Sequence, residues 1–242
     1  MKSCSDREMT FLEHLEELRW VLIKIAASIL LFAIPSILYW REIFDLLMVF
    51  PLRFTAPTPV FIYTNPAQGI VLSVKIALAS AVICAAPFIF YQVWKFLSPA
   101  LKTGEKRLLL PVAVASTLLF LAGVAFCYFT LPFVLQFLIA YASGILEPMF
   151  RADEYLGFML KIALSLGFVF QLPVISFILA RSGIITHSFL IRNSNYAVIT
   201  MFIVAALLTP PDIFSQIMIV LPLSLLYGLS IVIALIAGRK ST

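Results

Sequence analysis

A chain of 242 residues that is 62% hydrophobic, only 12% charged and +1.07 in mean hydropathy has about half the charge of a soluble domain. It cannot coat a globule with polar side chains, which excludes a soluble enzyme and a disordered tail. Its net charge of +5, from 17 basic and 12 acidic residues, is scattered between apolar runs and is no nucleic-acid footprint.

The first 19 residues hold three bases and five acids, the opposite of the basic start that a cleavable signal peptide needs. Within them Phe11, Leu15 and Leu18 recur at helical spacing with Leu12 beside them, while Glu13, Glu16 and Glu17 share a neighbouring face. This reads as a cytoplasmic amphipathic segment over 1–19. Acids there oppose the usual design, in which basic residues meet anionic lipid. Two readings stand: an ordinary solvated helix face, or a docking face for a cationic peptide.

A span needs about 20 mostly apolar residues. Candidates lie near 20–40, 70–96, 108–131, 155–180, 196–209 and 213–237. The fifth is short and ends at Thr209-Pro210-Pro211-Asp212, where paired prolines force a turn. The sixth contains Pro222, and the two are expected to form a short hairpin. Between the first two spans, Ile43, Phe44, Leu46, Leu47, Val49 and Phe50 suggest a short helix along the outer surface. Asn65-Pro66 then reads as the cap and first-turn proline of the second span. The loop near 141–154 reads as merely solvated.

Lys and Arg placement sets the orientation. With the N-terminus inside, the inner segments hold Lys2, Arg7, Arg19, Lys95, Lys102, Lys106, Arg107, Arg181, Arg192, Arg239 and Lys240, and the outer ones only Arg41, Arg53 and Arg151. Eleven against three puts both termini in the cytoplasm. Lys24, Lys75 and Lys161 fall near span ends; each either snorkels to headgroups or faces a polar cavity. Prolines 35, 87, 111, 132, 173 and 222 lie within membrane segments, which predicts bent helices and a concave body. The chain is thus read as a single polytopic membrane domain over 1–242, all-α, with six transmembrane helices.

Catalytic signatures are missing from the sequence. There is no phosphate-binding glycine loop, no metalloprotease H-E-x-x-H order around His14, no partner at ligand spacing for His187 and no G-x-S-x-G turn. No cofactor or metal is implied, and the three cysteines, Cys4, Cys84 and Cys127, show no paired spacing. Binding or conduction remains. A small-solute or ion permease is the competing class, and it would need a polar track that the thin inventory of deep polar residues does not supply.

The inner segment Lys95–Arg107 has four bases and one acid, Glu105. Alone, Glu105 is a salt-bridge partner for Lys102 or Arg107. Folded beside Glu13–Glu17, it would join a carboxylate cluster able to take an arginine pair by bidentate hydrogen bonds. Gln171 is the strongly polar side chain deep in a span; it either bonds a backbone carbonyl freed by Pro173 or meets another protein's helix.

The stretches His14-Leu15-Glu16-Glu17-Leu18-Arg19, Tyr91–Leu101, Glu105-Lys106-Arg107 and Leu208–Gln216 together resemble the TatC family, the multi-spanning subunit of the twin-arginine protein translocase. The resemblance implies a glove-like, concave arrangement of six helices with short fifth and sixth spans. It also implies a receptor in the cytoplasmic (inner) membrane, and not an enzyme. Its ligand is the twin-arginine signal peptide of folded precursors, bound through the acids matching Glu17 and Glu105 with Phe96 beside them; Leu15 and Arg19 belong to the same motif. Partners implied are single-span TatA/TatB-type subunits in an oligomeric complex driven by the proton motive force. The position of Gln171 is usually Glu in the family, where it meets a polar residue on a partner helix. Gln keeps the hydrogen bonding and loses the charge. Asp212 matches an outer-loop acid beside Pro210 and Pro211, and a proline-rich turn capped by Asp also explains it.

Overall fold

The computed structural model describes residues 11–55, 59–97, 107–142, 147–209 and 212–238. Glu105, Pro210, Pro211 and residues 1–10 lie outside them.

No glycine or proline lies between Phe11 and Ile34, and α1 runs over Phe11–Leu38 with Pro35 in its last turn. The acidic motif is therefore the first turns of the first span and not a separate surface helix. At about 1.5 Å per residue α1 is roughly 42 Å long, more than the hydrocarbon core of about 30 Å. Counting back about 20 residues from Leu38 puts the lipid–water boundary at Leu18 and Arg19. Glu17 stands just outside it.

After α1 the chain stays helical through α2 (Trp40–Phe44), a π-helical turn over Asp45–Val49 and α3 (Phe50–Leu52). This is the expected short helix, but Met48 and Leu52 are fully buried, so one face packs into the protein instead of lying on lipid. β1 (Val60–Ile62) follows, and α4 (Gln68–Leu97) begins at Gln68. Asn65 is not its cap. The Asn65 side chain accepts the Ala67 N–H at 2.9 Å, a turn that precedes the helix.

α5 (Leu109–Ala142) passes through Pro132 instead of ending near 131. Beyond the proline, Leu135 joins Met48, Leu52, Leu72, Tyr155 and Leu156 in one cluster, and that packing holds the added turns. β2 (Met149–Arg151) pairs in parallel with β1, Val60 opposite Met149. The fold is thus helical with a small two-stranded ribbon, and the loop expected to be solvated is tied to the first one.

α6 (Ala152–Val169) and α7 (Leu172–Arg181) form one broken span, interrupted at Phe170-Gln171 just before Pro173. α8 (His187–Arg192) leads into α9 (Ser194–Leu208), and α10 (Ile213–Gly238) closes the described chain. Five helical spans are long and apolar enough to cross a membrane, and α9 is a shorter apolar helix of 15 residues. α10 corrects the expectation of a short sixth span: it has 26 residues and carries Pro222 within it.

Inter-helix packing explains two details. Gly123 and Gly167 mark where α5 and α6 nearly touch: a Cβ on Gly123 would lie 2.8 Å from the Leu166 carbonyl oxygen, and one on Gly167 would lie 2.6 Å from the Phe120 ring. Small residues let backbones approach where lipid gives no hydrophobic drive. Lys161 is exposed, and its Nζ donates to the Leu207 carbonyl at 2.6 Å. α9 is roughly 22 Å long, less than the hydrocarbon core of about 30 Å, and Lys161 supplies a donor to one of its last carbonyls. Lys161→Met is expected to destabilise the protein by about 2 kcal/mol, with Lys161→Arg retaining most of the wild-type stability. Thermal unfolding in detergent checks both.

Candidate functional site

The boundary end of α1 carries the acids. Glu17 is half-buried, and its Oε2 is shielded from solvent with no hydrogen-bond donor among the described residues. Its nearest charged or ionisable neighbour recorded is His14 one turn earlier, with Nδ1 3.9 Å from Oε2. That is beyond hydrogen-bond length. The His14 ring stacks on Phe96, with centroids 4.3 Å apart and planes inclined by 10°. Phe96 is in the last turn of α4, so this stack joins the start of the first span to the end of the second.

Trp94 anchors that turn. It is buried, and its indole Nε1 donates to Ser116 Oγ on α5 at 2.7 Å, the partner a buried indole requires. Lys95 between them is exposed. Leu15 and Arg19 are also exposed, one turn apart on α1. The apolar face expected from Phe11, Leu15 and Leu18 is therefore not a packed face at Leu15. Glu105 lies in the segment between Leu97 and Arg107, outside the described residues.

Chemically, the arrangement is a carboxylate oxygen withdrawn from water, lacking a donor among the described residues, beside a flat aromatic stack. An unsatisfied buried acceptor costs free energy until a donor arrives. A guanidinium fits on both counts, because its planar fork donates to carboxylate and stacks on rings.

Gln171 lies deeper, at the helix break. It is 6% exposed, and its Nε2 donates to the Ser116 carbonyl at 3.0 Å and, more weakly, to the Gly167 carbonyl at 3.4 Å. The Gln171 backbone N–H turns to Phe168 instead, so the side chain takes the acceptor its own backbone gives up. Gln171 Oε1 has no partner among the described residues. Ser116 thus receives Trp94 on its hydroxyl and Gln171 on its carbonyl, joining three spans at one residue.

Asp212 caps α10. Its Oδ1 accepts the Ser215 N–H at 2.7 Å, the N-cap geometry, while Oδ2 has no partner among the described residues. Gln171 and Asp212 lie away from the Glu17–Phe96 pair in the chain and take no part in its contacts.

Sequence reasoning passed over His14, considered there only as a metal ligand, and missed Trp94 and Ser116. His14 sits three residues before Glu17, on the same face of a helix, which is the signal that could have found it. Nothing in the sequence pairs Trp94 with Ser116, 22 residues apart on different helices.

Residues 13–222 match the family model described as Sec-independent protein translocase protein TatC. Among curated relatives, the TatC protein of Carboxydothermus hydrogenoformans is 37% identical over 95% of this chain and 94% of its own length. The TatC protein of Aquifex aeolicus is 34% identical over 96% and 97%. A crystal structure of the twin arginine translocase receptor TatC superposes with a TM-score of 0.81 at 33% identity, covering 94% of this chain and 100% of that one. Family model, full-length relatives and fold agree, and the chain belongs to the TatC family of Sec-independent protein translocases.

Proposed function

We propose that this translocase recognises the arginine pair of a twin-arginine signal peptide at the Glu17–His14–Phe96 corner. The observation that carries the reading is Glu17 Oε2, shielded from solvent and lacking a donor among the described residues. One guanidinium satisfies that oxygen and lies against the Phe96 ring. Glu105, which lies outside the described residues, supplies the second carboxylate. Leu15 and Arg19, exposed on the adjoining face, flank the remainder of the peptide.

On this reading all six helices cross, with α9 the short fifth span, both termini are cytoplasmic, and the body is concave and glove-like in the inner membrane. Single-span TatA- and TatB-type subunits assemble with it, and the proton motive force drives transport of the folded cargo. The partner helix packs at the break that Gln171 braces, where the amide offers hydrogen bonding without charge. Asp212 holds the turn at Pro210-Pro211 through its cap on α10.

Retention of a twin-arginine peptide by the purified protein tests the reading. A peptide with Arg-Arg changed to Lys-Lys keeps the charge but loses the planar fork, and its retention is expected to fall about tenfold. Equal retention of both peptides contradicts it.

A further inference from the structure

At the end of α1 opposite Glu17, the chain encloses a cavity of about 420 Å³. α2, β1, the first turns of α4 and Ala152 line it. Its size is within the range of about 300–1,000 Å³ typical of small-molecule sites. Phe44, Phe61 and Leu72 give it an apolar wall. Gln68 also lines it, but its polar atoms are already committed: Nε2 donates to Asp153, and Oε1 accepts the Thr64 N–H.

The charged groups lining it are one cation and one anion, Arg41 and Asp45, both exposed. They stand four residues apart on a helical stretch, where opposite charges ordinarily pair. Among the described residues neither forms an ion pair. Arg41 instead lies over the Trp40 ring, 5.7 Å from its centroid. Trp40 and Tyr63 mark the depth, because amphipathic aromatics collect at membrane interfaces. Leading up to the cavity, Leu31, Ile34 and Leu38 form an exposed apolar strip along α1.

We propose that this cavity binds the headgroup of a zwitterionic phospholipid with a primary amine, the chemistry of phosphatidylethanolamine. The phosphate meets Arg41, the ammonium meets Asp45, the glycerol lies against Phe44 and Phe61, and the acyl chains follow the α1 strip. Charge complementarity selects this ligand. Phosphatidylglycerol would give Arg41 its phosphate but offer Asp45 only neutral hydroxyls in place of a cation, and a bare peptide amine would leave Arg41 unanswered. The site is independent of the peptide-recognition corner, which lies at the other end of α1.

Native mass spectrometry of the purified full chain in detergent, with phosphatidylethanolamine or phosphatidylglycerol added separately, tests the proposal. The wild type is expected to bind phosphatidylethanolamine about tenfold more tightly than phosphatidylglycerol. Asp45→Asn should abolish that preference, Arg41→Gln should weaken both lipids, and Arg41→Lys should retain part of the binding. Equal affinity of the wild type for the two lipids overturns the proposal. So does a wild-type preference that survives both Asp45→Asn and Arg41→Gln, since the lipid would then sit elsewhere. Displacement of bound phosphatidylethanolamine by a short peptide with a free N-terminal amine, through Asp45 but not Arg41, overturns it in favour of a peptide terminus. The wild-type comparison decides the matter even if a variant fails to fold.

Discussion

Glu17→Lys is expected to lower affinity for a twin-arginine peptide by more than about a hundredfold, the scale of removing one partner of a hydrogen-bonded charge pair and reversing its sign. Glu17→Gln keeps an acceptor oxygen and loses the charge, so a drop of about tenfold is expected. The two variants separate charge from shape. Both substitutions are at a half-buried site in the first turns of α1, where few other contacts depend on the side chain, so the protein should stay folded. Isothermal titration with a soluble signal peptide reads the effect. Unchanged affinity in Glu17→Lys would remove this carboxylate from the recognition site.

The second large effect is on the fold. Gly123→Ala is expected to destabilise the protein by about 1–3 kcal/mol, the usual cost of overpacking a filled core. The added Cβ would meet the backbone of α6 at Leu166 and Gly167, which cannot rotate away as a side chain can. The helices must part, and the parting strains the nearby Gln171–Ser116 bond. Gly157 is the control. It is also within α6, yet a Cβ there meets nothing within 4 Å, so Gly157→Ala should be neutral or stabilising by up to about 1 kcal/mol. Thermal unfolding of the two variants side by side checks the contrast. Equal stability would mean that the α5–α6 approach is looser than these distances imply.

Much of this architecture was legible because lipid leaves helices few alternatives. Apolar runs of about 20 residues marked α4, α9 and α10 to within a few residues, whereas α1 begins nine residues before the expected span. Errors came where tertiary packing overrode local signals. Pro132 reads as a terminus, but the turns after it are held by the Met48–Leu52 cluster. Asn65-Pro66 reads as a cap, but the helix begins at Gln68, whose side chain is tied to Thr64 and Asp153. The β1–β2 ribbon joins segments almost 90 residues apart, and no short-range pattern announces such a pairing.

The candidate site was partly legible in the same way. Acidic residues at a membrane surface stood out as Glu17 because they defy the usual charge pattern, and Gln171 stood out because a deep amide is rare. What the residues alone could not supply was contact: the His14–Phe96 stack and the Trp94–Ser116–Gln171 junction exist only once separate helices pack. The family resemblance named Glu17, Phe96 and Gln171 without naming those supports. For Gln171, the structure bears out the backbone reading: Nε2 serves the Ser116 and Gly167 carbonyls, while Oε1 is buried with no partner among the described residues.

The claim on which the account depends is that the Glu17 turn and the segment carrying Glu105 close on the same arginine pair. Disulfide trapping of a Glu17→Cys, Glu105→Cys double variant, with Cys4, Cys84 and Cys127 replaced, measures this in the full chain. The account predicts efficient trapping that prevents subsequent binding of a twin-arginine peptide labelled for detection. Failure of the two cysteines to bridge under oxidation, or bridging that leaves peptide binding unaffected, would contradict it.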